Sequence, residues 1–460
     1  MSITWSSGVN TCAVRRFIRK MRENGSRPRG FQLYRQGETV SAVFPPFRAD
    51  EGMHLYSLSK SFTSVCVGIA EDRGLLSTDE RMLDIFPDLA PEHVSENLAA
   101  MTLGDVLSMQ SGHAVCHLDQ MRFSENAVRT FLAMPVVYKP GTTFVYSTGG
   151  TSVCGAAVAR RSGMTLRAFM NQNLFEPLGI ADRKPLCCAD GTHCGGTGLF
   201  ISQDELFRFG MMLLGNGVYE GRRIVSESYL KRATSPIADN SANGTHDWTV
   251  GYGYQFWRND RAGFRGDGAY GQYMIVLPEQ DAIFILQECT DRLQEVLDDI
   301  FELVWNVCAP DDSEKKELEE DVRSFYAVEP SALPEERTVE LEDNVADIRS
   351  ASVIADGRDI LVRFETAYGE QTIRAGNGHW AESHPMLRNC KPGLIALDPH
   401  FGWIENLHVR SSFRVENGEL TVTCKHIDTP HTQWFRFAPE GIYQTADGGL
   451  KSEAGFLRAR

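Results

Sequence analysis

Apolar residues recur every three or four positions in several segments of the chain, and that spacing predicts amphipathic helices. The clearest of these segments are residues 11–24, 57–73, 103–112, 126–134, 150–163, 203–217 and 292–307. Short runs typical of β-strands lie at residues 31–35, 39–44, 251–257, 269–277 and 282–288. Because the strands fall at both ends of this region, the pattern predicts an α+β fold. Helices flank one antiparallel sheet, and a helical subdomain is inserted.

The last third of the chain has a different pattern, in which strands alternate with turns. Asp356-Gly357 and Asn417-Gly418 each separate two alternating runs, which is the strongest short signal for a β-hairpin. We therefore expect an antiparallel barrel or sandwich at residues 325–460. The segment 311–324 is charged and nearly free of apolar residues, which predicts a solvated acidic linker after a first domain at 1–310.

The charge balance narrows the choice of partners. The chain has 46 Lys+Arg against 61 Asp+Glu, a net charge of -15. Phosphate backbones and anionic bilayers attract basic surfaces, so neither nucleic acid nor a membrane is expected as a partner. No run approaches 18 apolar residues, and the first residues lack the apolar segment of a secretory signal. A cytoplasmic protein is expected, and a homo-oligomer is compatible with the sequence.

One cluster of cysteines invites a metal-binding hypothesis. Cys187, Cys188 and Cys194 lie beside His193, among eleven cysteines in the chain. Zinc sites usually supply paired ligands in the form C-x-x-C, and adjacent cysteines chelate poorly. Small residues in a packed loop explain the cluster better, so no metal site is predicted.

A serine followed by a lysine three residues later suggests a nucleophile and its base. Ser57 and Lys60 share one helical face, and the apolar run after Lys60 would bury the amine and lower its pKa. A neutral lysine could then take the serine proton. The same spacing occurs at 228–231 and 313–316, but only the first copy follows a strand signal and begins a strongly apolar helix.

Two further segments carry residues suited to the same chemistry. Tyr146 lies in KPGTTFVYSTGG at the entry of a predicted helix, where a phenol could relay a proton. Gly266, Gly268 and Gly271 crowd the start of the strand in FRGDGAYGQYMIVLPEQ. Glycines at such a place allow a ligand to approach the backbone closely.

The three blocks together resemble the serine beta-lactamase-like superfamily. That group includes class C beta-lactamases, DD-peptidases, family VIII carboxylesterases, D-aminopeptidases and nylon-oligomer hydrolases. The motifs TLGDVLSMQSGH and GLFISQDELFRFGMMLLGNG match as well, and the resemblance covers residues 10–308. It implies that Ser57 is the acylated serine, that Lys60 is its base and that Tyr146 is the family tyrosine. It also implies an oxyanion hole formed by the N–H groups of Ser57 and Ala269.

The chain departs from the family pattern at two positions. Thr148 stands where the family often has asparagine, which holds the lysine and a substrate amide. Gly266, in the block Gly266-Asp267-Gly268, replaces a cationic or imidazole residue that binds the carboxylate of penicillins. Arg265 could substitute only if the strand bulged, because neighbouring strand residues point to opposite faces. These departures weigh against beta-lactam recognition and leave acyl transfer intact.

Three other side chains are candidates for the pocket. Asp267 could face a cationic group of the substrate, and His113 or His54 could line the pocket. A histidine satisfied within the core is the alternative for the last two. The predicted substrate-binding set consists of Thr148, Gly266, Asp267, Gly268 and His113.

The sequence therefore predicts a serine hydrolase acting on a small ester or amide through an acyl-enzyme, with no cofactor. An esterase is expected first and an amidase or peptidase second. A beta-lactamase-type hydrolase, an acyltransferase and a non-catalytic binding protein with the same fold are the alternatives. The C-terminal domain either overhangs the pocket or docks other chains.

Overall fold

A computed structural model of the protein describes residues 2–244, 246–344, 346–367, 369–386, 408–446 and 455–460. In chain order the strands are β1 (Ile3–Trp5), β2 (Arg27–Arg35), β3 (Glu38–Val43), β4 (Met53–His54), β5 (Phe200–Ile201), β6 (Val218–Tyr219), β7 (Arg222–Arg223), β8 (Trp257–Arg258), β9 (Phe264–Gly268), β10 (Gln272–Leu277), β11 (Ala282–Cys289), β12 (Arg337–Glu340), β13 (Ile348–Asp356), β14 (Asp359–Thr366), β15 (Gly369–Ala375), β16 (Ala381–Ser383), β17 (Val409–Glu416), β18 (Glu419–His426), β19 (Thr432–Ala438), β20 (Gly441–Ala446) and β21 (Gly455–Arg458).

The α-helices are α1 (Thr11–Glu23), α2 (Ser59–Asp72), α3 (Met82–Ile85), α4 (Glu96–Ala100), α5 (Leu103–Leu107), α6 (Leu118–Arg122), α7 (Ala127–Ala133), α8 (Thr148–Ser162), α9 (Leu166–Met170), α10 (Glu176–Leu178), α11 (Gln203–Leu214), α12 (Glu227–Ala233), α13 (Leu293–Asn306) and α14 (Lys315–Arg323). Among the described residues, none of these helices combines the length and the apolar character that a bilayer span requires.

A seven-stranded sheet in the order β1-β3-β2-β11-β10-β9-β8 is built from both ends of the first 310 residues. Every neighbouring pair in it is antiparallel. Adjacent residues of β10 face opposite sides: Ile275 packs with α1 and α13, whereas Met274 packs with the helical block. The α+β prediction, with a helical insertion on one face of an antiparallel sheet, is confirmed.

Two predicted elements are shorter than expected because the backbone turns within them. The helix predicted at 103–112 ends at Leu107, and Met109 (φ +63°) and Gly112 (φ +89°) both adopt left-handed conformations. In the strand predicted at 251–257, only Trp257 is in a β-strand. Gly253, in the middle of this segment, packs against the backbone at Ala233, so closely that a Cβ would fall 2.0 Å from the Ala233 carbonyl oxygen.

The acidic segment predicted as a solvated linker is partly a packed helix. Helix α14 buries Leu318 and Val322, which lie four residues apart on one face, against α1. Arg15 on α1 pairs with Asp321 at 2.7 Å and with Glu314 at 3.1 Å. The linker prediction is therefore wrong for this helix, because two apolar residues at helical spacing are enough to seat it.

The C-terminal β region, residues 325–460, contains two antiparallel sheets. The order is β12-β13-β14-β15 in one and β16 through β21 in sequence in the other. Both predicted hairpins are confirmed, since Asp356 pairs with Asp359 and Glu416 pairs with Glu419 across their turns. One apolar core draws side chains from both sheets, in agreement with the predicted all-β architecture.

Candidate active site

The first motif places Ser57 and Lys60 side by side. Ser57 lies in a 3₁₀ turn, Tyr56–Leu58, and α2 begins directly after that turn. Nζ of Lys60 is 2.9 Å from Oγ of Ser57. Lys60 is 1% exposed, whereas Ser57 is half-buried. A buried amine beside an accessible hydroxyl is the arrangement that an activated serine needs.

The other two serine–lysine pairs have a different environment. Ser228 and Lys231 are exposed on α12, and Ser313 and Lys316 are exposed around the start of α14. A solvated lysine keeps its proton at neutral pH. The structure therefore separates the first copy from the other two by burial.

The surroundings of Lys60 favour its neutral form. Besides Ser57, its Nζ contacts Oγ1 of Thr148 at 3.0 Å and the carbonyl oxygen of Gly196 at 2.7 Å. Burial lowers the pKa of Lys60 from 10.5 to about 7. Thr148 thus takes the lysine-holding contact that the family pattern assigns to an asparagine.

Tyr146 lies beside Lys60, as the sequence predicts for a site that contains both residues. Its ring lies against the amine, with Nζ of Lys60 4.8 Å from the ring centroid, and stacks on Trp257 at 5.5 Å. Burial raises the pKa of Tyr146, and an interaction with the Ser57 side chain lowers it to a smaller extent. A hydrogen bond from Tyr146 to Lys60, which a direct proton relay between them would use, is absent among the described residues.

The glycines of the third block bring strand β9 close to the nucleophile turn. A Cβ on Gly268 would lie 2.2 Å from the carbonyl oxygen of Leu55, so only glycine allows this approach. A Cβ on Gly266 would lie 3.0 Å from Oγ of Ser61 and 3.2 Å from Leu58. A side chain at position 266 would therefore require its neighbours to shift by a few tenths of an ångström. Ala269 follows β9 at an exposed position.

Arg265 does not replace that cation. Strand β9 pairs with β10 in an unbroken register, so the strand does not bulge. Arg265 is fully buried, and its Nε donates to Oδ2 of Asp267 at 2.9 Å. Trp248 Nε1 donates to the same oxygen at 3.0 Å. Burial raises the pKa of Asp267, and its charge is already balanced by the buried arginine, which weakens the hypothesis of a substrate amine at this residue.

The two histidine candidates are part of the core. His113 is 1% exposed, contacts Oγ of Ser111 at 3.0 Å and the carbonyl oxygen of Phe131 at 3.2 Å, and burial lowers its pKa to about 4. His54 is also buried and accepts a hydrogen bond from the N–H of Gly198 at 3.2 Å. His113 therefore has a structural role rather than the predicted place in the substrate-binding set.

The cysteine loop contributes to the site through its backbone. Thr63 donates to the Gly195 carbonyl at 2.6 Å, and Lys60 donates to that of Gly196. Sequence reasoning missed Gly196, because a main-chain acceptor leaves no mark on residue type. Cys188 and Cys194 lie with their sulfur atoms 4.0 Å apart inside the same loop.

Among the described residues, the ligand atoms of Glu382, His384 and His408 lie within 4.8 Å of one another, close enough to hold a metal ion. This group is in the C-terminal β region and includes no residue of the Ser57 site. Glu382 is already engaged, since His408 contacts one oxygen at 2.8 Å and Arg410 the other at 3.4 Å.

Comparisons with known proteins identify relatives for parts of this chain. A 6-aminohexanoate-dimer hydrolase from Paenarthrobacter ureafaciens is 24% identical over 55% of this chain and 71% of its own. The lovastatin esterase of Penicillium rubens is 29% identical over 31% of this chain. The match spans only 42% of that esterase, so it covers less than half of the relative.

A solved structure extends the similarity in fold beyond the first domain. The octameric penicillin-binding protein homologue from Pyrococcus abyssi has a TM-score of 0.50 at 15% identity, covering 89% of this chain and 97% of its own. A family model described as Beta-lactamase matches residues 14–287, more than half of the chain. The chain therefore belongs to the Beta-lactamase family.

Proposed function

We propose that the protein is a serine hydrolase that cleaves small esters through an acyl-enzyme on Ser57. The observation that carries this proposal is the position of Lys60, buried and 2.9 Å from the Ser57 hydroxyl, with its pKa lowered by burial to about 7. Close to half of such a lysine is unprotonated at neutral pH and available as a base.

The three contacts of Lys60 match the needs of a neutral amine. A neutral amine has two N–H donors and one lone pair. The Gly196 carbonyl and the Thr148 hydroxyl accept the two donors. The lone pair is then left for the proton of Ser57, which is the group that must lose one. A charged ammonium would instead donate to all three oxygens and leave the serine unactivated.

The reaction then proceeds in two acyl transfers. Oγ of Ser57 bonds to the ester carbonyl carbon while its proton passes to Lys60. The N–H groups of Ser57 and Ala269 hold the oxyanion. The C–O bond to the alcohol breaks as Tyr146, kept as a neutral phenol by its raised pKa, delivers a proton to the leaving oxygen. The proton held by Lys60 then passes to Tyr146, so that the lysine is neutral and the phenol is protonated again before water attacks. Water attacks the acyl carbon in the same way and restores Ser57. No metal or organic cofactor enters these steps.

The choice of ester over beta-lactam rests on Gly266. Glycine has no side chain to bind a substrate carboxylate, and a Cβ at this position would lie 3.0 Å from Oγ of Ser61 and 3.2 Å from Leu58. The esterase among the relatives supports the same choice, and the 6-aminohexanoate-dimer hydrolase makes an amide the second candidate. An acyltransferase would use the same acyl-enzyme with an alcohol or amine in place of water.

The test is labelling with a fluorophosphonate probe, followed by intact mass and peptide mapping. We expect one adduct on Ser57, lost in Ser57→Ala and retained in the matched control Ser228→Ala, which alters an exposed serine with the same motif spacing. A p-nitrophenyl ester should turn over faster than the matching anilide. A folded wild-type protein that takes no adduct would support the non-catalytic alternative instead.

A further inference from the structure

A loop of the C-terminal β region lies next to the candidate active site. This loop joins β18 to β19 and carries His431, which is 1% exposed. The two ring nitrogens of His431 each contact a residue of the first domain. A hydrogen bond of 2.8 Å joins Nε2 to the hydroxyl of Tyr56, and Nδ1 lies 3.8 Å from Sγ of Cys289. A residue far along the chain is thus buried beside the nucleophile turn.

Tyr56 and Tyr270 occupy special positions relative to the oxyanion hole. Tyr56 directly precedes Ser57, and Tyr270 directly follows Ala269, so they flank the two proposed N–H donors. Both have left-handed backbones, with φ of +49° and +66°. Bulky residues rarely adopt this conformation, and it persists only where neighbouring contacts impose it.

His431 supplies contacts to both tyrosines. Besides its hydrogen bond to Tyr56, it packs edge-to-face on Tyr270 with ring centroids 4.8 Å apart. The two tyrosine rings in turn meet edge-to-face at 5.2 Å. The three rings form one cluster whose members hold the residues next to Ser57 and Ala269.

The loop itself is fixed to the catalytic region by polar contacts. The N–H of His54 donates to the carbonyl oxygen of Asp428 at 2.9 Å, and Arg29 donates to the carbonyl oxygen of Ile427. Arg410, which is buried, and Glu51, which is partly exposed, form an ion pair across the same interface. His431 is therefore presented to Tyr56 by a rigid support rather than by a loosely attached loop.

We propose that His431 is a positioning residue for the oxyanion hole, so that the C-terminal β region is needed for full acylation rate. The inference rests on the proposed function, since it assigns the Ser57 and Ala269 amides to the oxyanion. His431 acts on the reaction through Tyr56 and Tyr270, whose backbone conformations aim the two N–H groups at one point.

The test compares His431→Phe, Tyr56→Phe and the double variant. Each single change removes the hydrogen bond and keeps an aromatic ring, so packing is largely retained. We expect the second-order labelling rate of Ser57 to fall about five- to tenfold in each, as for loss of one hydrogen bond. The double variant should lose no more than either single one. His431→Gln, which can still reach the Tyr56 hydroxyl, should recover most of the rate.

Ester turnover and an interface control separate positioning from general damage. In His431→Phe, kcat should fall while KM stays within about twofold, since the bond acts on the transition state. Tyr326→Phe removes a hydrogen bond of 2.9 Å from the Tyr326 hydroxyl to the carbonyl oxygen of Pro28 at the same interface, and keeps the ring. It should lower the melting temperature while leaving labelling unchanged. Wild-type labelling rates in both single variants, or losses that multiply in the double variant, would overturn the inference while leaving the proposed function intact. A wild-type protein without any adduct would instead overturn the proposed function.

Discussion

The pH dependence of acylation is expected to follow the ionisation of Lys60. Burial lowers the pKa of this lysine from 10.5 to about 7. Each unit of pKa is worth about 1.4 kcal/mol, so the charged form is disfavoured by about 5 kcal/mol. With a pKa of 10.5, about one lysine in three thousand would be neutral at pH 7, against about half here. Burial therefore enlarges the population of the active base by about a thousandfold.

The assay is the second-order rate of fluorophosphonate labelling at Ser57, measured from pH 5 to 9 and corrected for hydrolysis of the probe. The rate should rise about tenfold per pH unit below pH 6 and level off above about pH 8. Lys60→Arg stays charged throughout and should label about a thousandfold more slowly, without a pH-dependent rise. A flat profile in the wild type, or Lys60→Arg labelling within a factor of ten of it, would refute the role of Lys60 as base.

The lowered pKa also predicts a dependence of stability on pH. Between about pH 7 and 10.5 the unfolded chain binds a proton at Lys60 that the folded chain does not, so this group makes the free energy of unfolding rise with pH. Below pH 7 Lys60 is protonated in both the folded and the unfolded chain, and the folded state carries the full free-energy cost of burying the charged amine. Lys60→Met should therefore be more stable than the wild type at pH 6, and that advantage should shrink towards pH 10. Urea denaturation at several pH values measures the difference.

Three further substitutions test the packing around the site. Gly266→Lys should lower the free energy of unfolding by about 1–3 kcal/mol through overpacking against Ser61. It should confer no hydrolysis of a beta-lactam such as nitrocefin, and measurable turnover would contradict the steric argument. His113→Ala should lower the free energy of unfolding by about 1–3 kcal/mol, seen as a lower melting temperature, because two buried hydrogen-bond partners lose their contact. Ser57 should still be labelled at the wild-type rate. Loss of labelling in the folded variant would return His113 to the substrate-binding set. Leu318→Ala should cost about 2–5 kcal/mol in urea denaturation, whereas no loss of stability would restore the solvated-linker prediction.

The parts of the fold that sequence could predict are those with local signals. The Asn417-Gly418 turn specifies its hairpin through two residues that accept left-handed backbones. The spacing of Ser57 and Lys60 places their side chains on one face without any knowledge of the rest of the chain. Strand alternation likewise indicated that Arg265 would point away from the face of Gly266, which the unbroken register of β9 confirms.

The parts that sequence could not predict depend on distant partners. Tyr56 is hydrogen-bonded to His431, 375 positions away in the sequence, and the type of neither residue predicts such a contact. Helix α14 was missed because charged residues dominate its composition, although Leu318 and Val322 have helical spacing. The motif around Tyr146 placed it in the site, but its stacking on Trp257 depends on a distant segment of the chain.

The contact between Lys60 and the carbonyl oxygen of Gly196 has a consequence for changing substrate preference by engineering. Because the acceptor is a main-chain atom, side chains at neighbouring positions such as Cys187 and His193 can be varied without removing it. Libraries that randomise these positions while retaining Gly195 and Gly196 should keep the base in place. Engineering of this loop can therefore start from positions that leave the acceptor of Lys60 in place.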